Sequence, residues 1–114
     1  MKIALYVIFF MFLCASVEAA VQCGVTINRV LVYKDGSVNV IHSGRGDYTY
    51  ICNLNSTWKG VGVTTCAMWT SMLIKKKENG GTTQFYYADS PDYDSCGNLP
   101  TYAASPSPIY IGDM

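Results

Sequence analysis

The sequence has 114 residues, half of them hydrophobic, with eight Lys plus Arg against eight Asp plus Glu. That length suits a single domain. The balanced charge leaves no footprint for nucleic acid, whose binding neutralises phosphates with clustered Lys and Arg.

In chain order, Met1 to Ala19 comes first. Lys2 gives a short positive end, Ile3 to Cys14 is almost unbroken apolar sequence, and Val17-Glu18-Ala19 offers a signal-peptidase site. This is the pattern of a secretory signal peptide. An apolar run of that length is too short to span a bilayer, and no later run is longer, so no membrane span is expected. Loss of Lys2 and Glu18 takes each charge count from eight to seven, leaving the mature chain neutral. Residues 20–114 are expected to form one domain, secreted or periplasmic.

Cys14 leaves with the signal, so four of the five cysteines remain: Cys23, Cys52, Cys66 and Cys96. An even count in a small exported chain reads as two disulfides with three connectivities open. The expected pairs are Cys52 with Cys66, tying a strand to a helix start, and Cys23 with Cys96, tying the N-terminus to a late loop. A zinc site is the rival, disfavoured because no Cys-x-x-Cys pair occurs and His42 is the single histidine. No metal or other cofactor is expected.

Val25 to Tyr33 is β-branched and roughly alternating, a first strand with Val25, Ile27, Leu31 and Tyr33 predicted on one face. Lys34-Asp35-Gly36 follows, and Asp-Gly between two such runs predicts a type I′ hairpin. Val38 to His42 returns, Ser43 to Asp47 turns, and Tyr48 to Leu54 completes a three-strand meander. Asn55 to Val63 is a loop holding Trp58.

The chain is organised around the helix predicted from Thr64 to Gly80. Thr64 or Thr65 is the expected cap. Cys66, Trp69, Met72 and Leu73 fall on one stripe. Lys75, Lys76 and Lys77 favour the negative end of the helix dipole, and Gly80 supplies a left-handed stop. Thr82 to Ala88 is the fourth strand, with Phe85 and Tyr87 inward and Tyr86 outward. After a turn-rich loop holding Tyr93 and Cys96, Ile109 to Ile111 makes a last short strand, preceded by Pro106 and Pro108.

Three strands, a helix and two strands is the order of the OB-fold, a five-stranded barrel with a helix between strands three and four. The layout, with Ile51-Cys52 in the third strand and Thr65-Cys66-Ala67 at the helix start, resembles the secreted binding subunits of bacterial one-A/five-B toxins of the subtilase-cytotoxin type. The export signal, length and two-disulfide economy are similar. The chain is also similar to small exported bacterial proteins with an Ile-Cys-Asn…Trp…Thr-Cys…Trp…Pro-Thr-Tyr pattern. The resemblance covers the topology of most of the mature chain and implies a toxin B-subunit-like binding module; a homo-oligomer is expected because the edge strands of a partly closed barrel can pair between subunits. The Ser- and Tyr-rich sugar-contacting segment of those subunits has no counterpart here, so no binding residue is carried over.

Among small motifs, Arg45-Gly46-Asp47 spells an adhesion tripeptide in a turn that requires Gly and Asp anyway. Asn55-Ser56-Thr57 is an N-glycosylation acceptor in a loop. Asp92 and Asp94 lack EF-hand spacing, and His42 has no nucleophile beside it.

Eight of the nine tyrosines survive processing, more than a small barrel buries. Outward tyrosines and Trp58 offer apolar rings with polar tips, suited to sugars and interfaces, while cross-strand aromatic pairing is the plainer use. The expected function is therefore a non-catalytic binding module for a cell-surface glycan or protein receptor, with Trp58, Tyr86 and Tyr93 as its ligand-binding residues. A secreted inhibitor or structural interaction protein is the alternative. An enzyme is disfavoured for want of a nucleophile–base pair or metal cluster.

Overall fold

The alternation of the first strand begins earlier than Val25. β1 runs Val21–Val32 in the computed structural model, which describes residues 20–114; the expected signal segment, 1–19, lies outside the described residues. Val21, Cys23, Val25 and Ile27 are buried while Gln22, Gly24, Thr26 and Asn28 are exposed, the period of two that a strand with one buried face requires. The register then slips between Ile27 and Arg29. Such a bulge inserts one residue and reverses which side chains face inward. Val30 and Val32 consequently pair with the fully buried Val40 and Val38, and Leu31 pairs with Asn39. The expected single face through Leu31 and Tyr33 is therefore broken, and both residues belong to the outer side.

The bulge also lets one strand serve two partners. Val21 to Thr26 pairs with β4 (Thr82–Tyr87), and Ile27 to Val32 pairs with β2 (Ser37–His42). With β3 (Thr49–Asn53) and β5 (Tyr110–Asp113) the sheet is antiparallel in the order β3-β2-β1-β4-β5. It is not closed: β3 and β5 lie at opposite edges. Pro106 and Pro108 have no N–H for a ladder, and the contact onto β3 reduces to one parallel bridge between Thr49 and Tyr102.

The β3 edge is nevertheless covered. Tyr102 N donates to Tyr48 O at 3.0 Å, and Tyr50 N donates to Ser105 Oγ at 3.0 Å. Lys59 Nζ holds this segment by donating to Ala103 O at 3.2 Å and Ser105 O at 2.6 Å. A covered edge is protected from pairing with another chain.

The turn at Asp35-Gly36 is not type I′, because Gly36 alone has positive φ, at 88°. Asp35 instead accepts from Ser37 N and Oγ at 2.9 and 2.7 Å, and Gly36 N donates to Tyr33 O. This is the longer hairpin loop, with a left-handed glycine making the bulge. The two successive positive φ values that type I′ demands occur at Lys59 (45°) and Gly60 (82°), between Trp58 and Val61, which exchange backbone hydrogen bonds at 3.0 and 2.9 Å.

The helix, α1, spans Val63–Asn79 and packs Cys66, Trp69, Thr70 and Leu73 into the core. Its cap is Gly62 and not Thr64 or Thr65, and no side chain caps the first turn. Cys66 N reaches Gly62 O directly. At the other end Gly80 is left-handed, as expected, and Lys76 and Lys77 stand in the last turn. Met72 is only partly buried, because Thr70 takes the inward place and donates to Cys66 O at 2.7 Å.

Cys52–Cys66 ties β3 to α1, with Cα atoms 5.5 Å apart. Cys23–Cys96 ties β1 to the 3-10 turn Cys96–Asn98, at 5.8 Å. Both are the expected pairs, at ordinary disulfide separations. Phe85, Tyr87, Ile51, Leu73 and Leu99 are fully buried, and Trp69 is 9% exposed beside them. Among the described residues no helix is long and apolar enough to cross a membrane.

Candidate functional site

The tyrosines sort by what their rings touch. Tyr93, expected to face a ligand from its loop, is in the core at 7% exposure. The loop folds back through a bridge between Ser90 and Tyr93, the Tyr93 hydroxyl donates to Ala88 O, and its ring meets Tyr87 edge-on at 6.1 Å. The ring therefore packs in the core and is not displayed on the surface.

Tyr86 points outward as expected but is half-buried. It pairs across strands with Gln22 on β1 and Tyr110 on β5. Its ring lies parallel to that of Tyr110, with centroids 5.1 Å apart and planes 3° from parallel. Gln84 Nε2 donates to the Tyr110 hydroxyl at 3.0 Å. Trp58 is likewise engaged: it stacks on Tyr50 at 4.1 Å with planes 6° apart, and Lys59 Nζ lies 4.8 Å from its centroid. Asn53 Nδ2 donates to the Tyr50 hydroxyl at 3.0 Å. Trp58, Tyr86 and Tyr93 thus each have a different partner.

A third outward grouping keeps ring surface open. It lies on the outer face of β1, β2 and β3, and it depends on the bulge that turns Arg29, Leu31 and Tyr33 outward. Arg29 Nη1 donates to the Tyr48 hydroxyl at 3.0 Å, and its other guanidinium donors have no partner among the described residues. Tyr48 meets Tyr102 at 5.5 Å with rings tilted by 43°. Tyr102 is 52% exposed and Tyr33 45%. Slight desolvation and the nearby Asp47, Tyr48 and Tyr33 hold the Tyr102 hydroxyl above its ordinary pKa. Asn39, between Leu31 and Tyr50 in register, buries an Oδ1 with no hydrogen-bond partner among the described residues.

Tyr102 has φ 54°, a left-handed conformation that is an outlier for a bulky residue. Such strain persists only where surrounding contacts over-determine it, and it clusters at functional positions. Here the contacts are Tyr102 N to Tyr48 O, Ser105 N to Tyr102 O, and the Lys59 clamp on the following carbonyls. Sequence reasoning missed Arg29, Tyr33, Tyr48 and Tyr102 as a group. A bulge and a left-handed tyrosine leave no local pattern; the Pro-Thr-Tyr tripeptide in a long loop was the only trace.

The Arg45-Gly46-Asp47 turn is tied to its own chain: Arg45 Nε donates to Leu99 O at 2.8 Å, and Asp47 Oδ1 accepts from Tyr48 N at 2.7 Å. An open groove of about 460 Å³ lies between the Lys59-Gly60 hairpin and Pro108, with Thr65 and Trp69 in its wall. His42 is fully buried, and burial lowers its pKa to about 4. The cysteines Cys23, Cys52, Cys66 and Cys96 are oxidised. The surface grouping therefore offers rings, hydroxyls and a guanidinium that can hold a ligand.

No known protein family, curated protein or solved structure matches the chain.

Proposed function

We propose that the chain is an exported, non-catalytic binding module on an OB-like frame, and that it recognises cell-surface glycan with the Arg29, Tyr33, Tyr48 and Tyr102 face. The observation that carries this reading is Tyr102, half exposed and held left-handed beside Tyr48. Aromatic faces with polar tips suit sugar rings, and a guanidinium adds directional donors. Two disulfides fit an oxidising compartment, secreted or periplasmic. The OB-like frame is supported by the order of elements and by the lone parallel bridge from Thr49 to Tyr102.

A homo-oligomer of the toxin B-subunit kind is part of this reading. The outer edge of β5 has no strand partner among the described residues, and Ile109, Tyr110 and Met114 are exposed around it. Repetition of one weak site in an oligomer raises avidity without new contacts. The same edge favours the second reading, an interaction protein or inhibitor that uses it to hold a protein partner. Light scattering on the processed protein, followed by a glycan array with Tyr102→Ala as control, tests the proposal. An oligomer whose glycan signal vanishes in the variant supports it; a monomer with a blank array leaves the interaction-protein reading ahead.

A further inference from the structure

His42, the single histidine of the chain, ends β2 beneath the turn that leads to the tyrosine face. Its Nδ1 accepts the Gly44 N–H at 3.1 Å. That bond requires a neutral ring with its proton on Nε2, and Nε2 is buried with no hydrogen-bond partner among the described residues. The ring packs against Phe85 at 4.9 Å. Gly44 fits there because it lacks a side chain: a Cβ would fall 2.8 Å from Val25 Cγ1 and 3.4 Å from both Cys96 Cβ and His42 Cε1. Phe85 from β4, Val25 from β1 and the Cys23–Cys96 disulfide carry no charge. Arg45, in the turn itself, is the charged group acting on the imidazole, and it opposes protonation.

The Ser43–Asp47 turn is fastened at both ends. Ser43 N donates to Thr26 O at 3.0 Å, and Arg45 N and Gly46 N donate to His42 O at 3.2 and 3.0 Å. On its far side Arg45 Nε holds Leu99 O, three residues before Tyr102, and Asp47 Oδ1 holds Tyr48 N. The same turn therefore touches His42 and holds Tyr48 directly, and Tyr48 O in turn accepts from Tyr102 N.

We propose that His42 is an acid trigger for this face: a proton on Nδ1 sets a donor against the Gly44 N–H, frees the Ser43–Asp47 turn and loosens Tyr48 and Tyr102. Its use as a release mechanism rests on the binding reading above, whereas the structural event does not. In the closed turn burial holds the His42 pKa at about 4 against 6.5. Opening relieves that burial, so the observed midpoint falls between these values.

The test follows amide-exchange protection on the disulfide-intact protein from about pH 7.5 to about pH 3.5, alongside the His42 ring titration, in wild type and His42→Asn. Asparagine can still accept the Gly44 N–H but does not titrate. The expected result is a loss of about tenfold or more in protection at Gly44, Arg45 and Tyr48, tracking His42. β4 and α1 should stay protected, and His42→Asn should show no step. A step that survives in His42→Asn, or that comes only with loss of β4 and α1, overturns the proposal. If His42→Asn does not fold, Arg45→Gln serves instead: removing the opposing charge must raise the midpoint, and an unmoved midpoint overturns the trigger. The readout needs no ligand, so a blank glycan array defeats the binding reading and leaves this one standing.

Discussion

The inner and outer faces of the sheet are both rich in aromatic residues and use them in different ways. Inside, Phe85, Tyr87, Tyr93 and Trp69 are buried, and the Tyr87 hydroxyl and His42 Nε2 have no hydrogen-bond partner among the described residues. Outside, Tyr50 stacks on Trp58 and Tyr86 on Tyr110, while Tyr33 and Tyr102 keep open rings. An outward tyrosine is therefore not automatically a binding residue. Parallel pairing occupies one ring face and leaves a covering for the sheet. What separates Tyr102 is an exposed ring combined with a left-handed backbone, which neither Tyr50 nor Tyr86 has.

Phe85 is fully buried, so Phe85→Ala should lower stability by about 3–5 kcal/mol, read as a smaller urea midpoint at unchanged slope. A change near zero would mean that this face is not the core. Replacing Cys52 and Cys66 together by Ser should cost about 3 kcal/mol, since the bridge closes a short loop with a sequence separation of 14. Equal stability with and without reductant would contradict that.

Acid comes next. His42 is neutral when folded, with its pKa lowered to about 4 from 6.5. Below 6.5 the unfolded chain takes up a proton that the folded chain does not, so stability falls as pH drops through this window. The loss reaches at most about 3 kcal/mol near pH 4 and then levels off for this group. Asp35 acts lower: hydrogen bonds from Ser37 hold its carboxyl below the ordinary value of 3.8, so its contribution is lost only as pH falls below that range. Urea midpoints at several pH values should slope between 6.5 and 4 in wild type and stay flat in His42→Asn. Parallel slopes would remove His42 from the account. On the outer face, Tyr110→Ala deletes an aromatic pair and should cost only about 1 kcal/mol, with glycan binding at the Tyr102 face unchanged.

The inner face was largely legible in the sequence. Val25 and Ile27 alternate because one face is buried, Cys66, Trp69 and Leu73 recur at helical spacing, and the four mature cysteines pair as expected. The outer face was not legible, for physical reasons. The register slip after Ile27 is decided by pairing with β2, which no local pattern announces, and it moves Leu31 and Tyr33 to the other side. Tyr93 sits in a polar, turn-rich stretch and is buried by contact with Tyr87 from a distant strand. Gly62 takes the cap expected of Thr64 or Thr65, because the preceding Lys59-Gly60 hairpin fixes where the helix begins. Sheet closure depends on a segment interrupted by Pro106 and Pro108, and a strand count does not weigh that interruption.

The smallest expected effect on stability tests the outer face most sharply. Tyr102 combines an open ring with a left-handed backbone. Tyr102→Gly removes both the ring and the backbone strain, whereas Tyr102→Ala removes the ring and keeps the strain. If the strain is maintained for the sake of the ring, Tyr102→Gly should match or exceed the wild-type melting temperature, with Tyr102→Ala a few degrees below it. Both should lose glycan binding by about tenfold or more, the scale of one aromatic contact at the centre of a site. Thermal melts and array titrations on the same preparations separate the two quantities. A Tyr102→Gly protein that melts well below wild type and still binds would place Tyr102 among the packing residues, with Tyr50 and Tyr86.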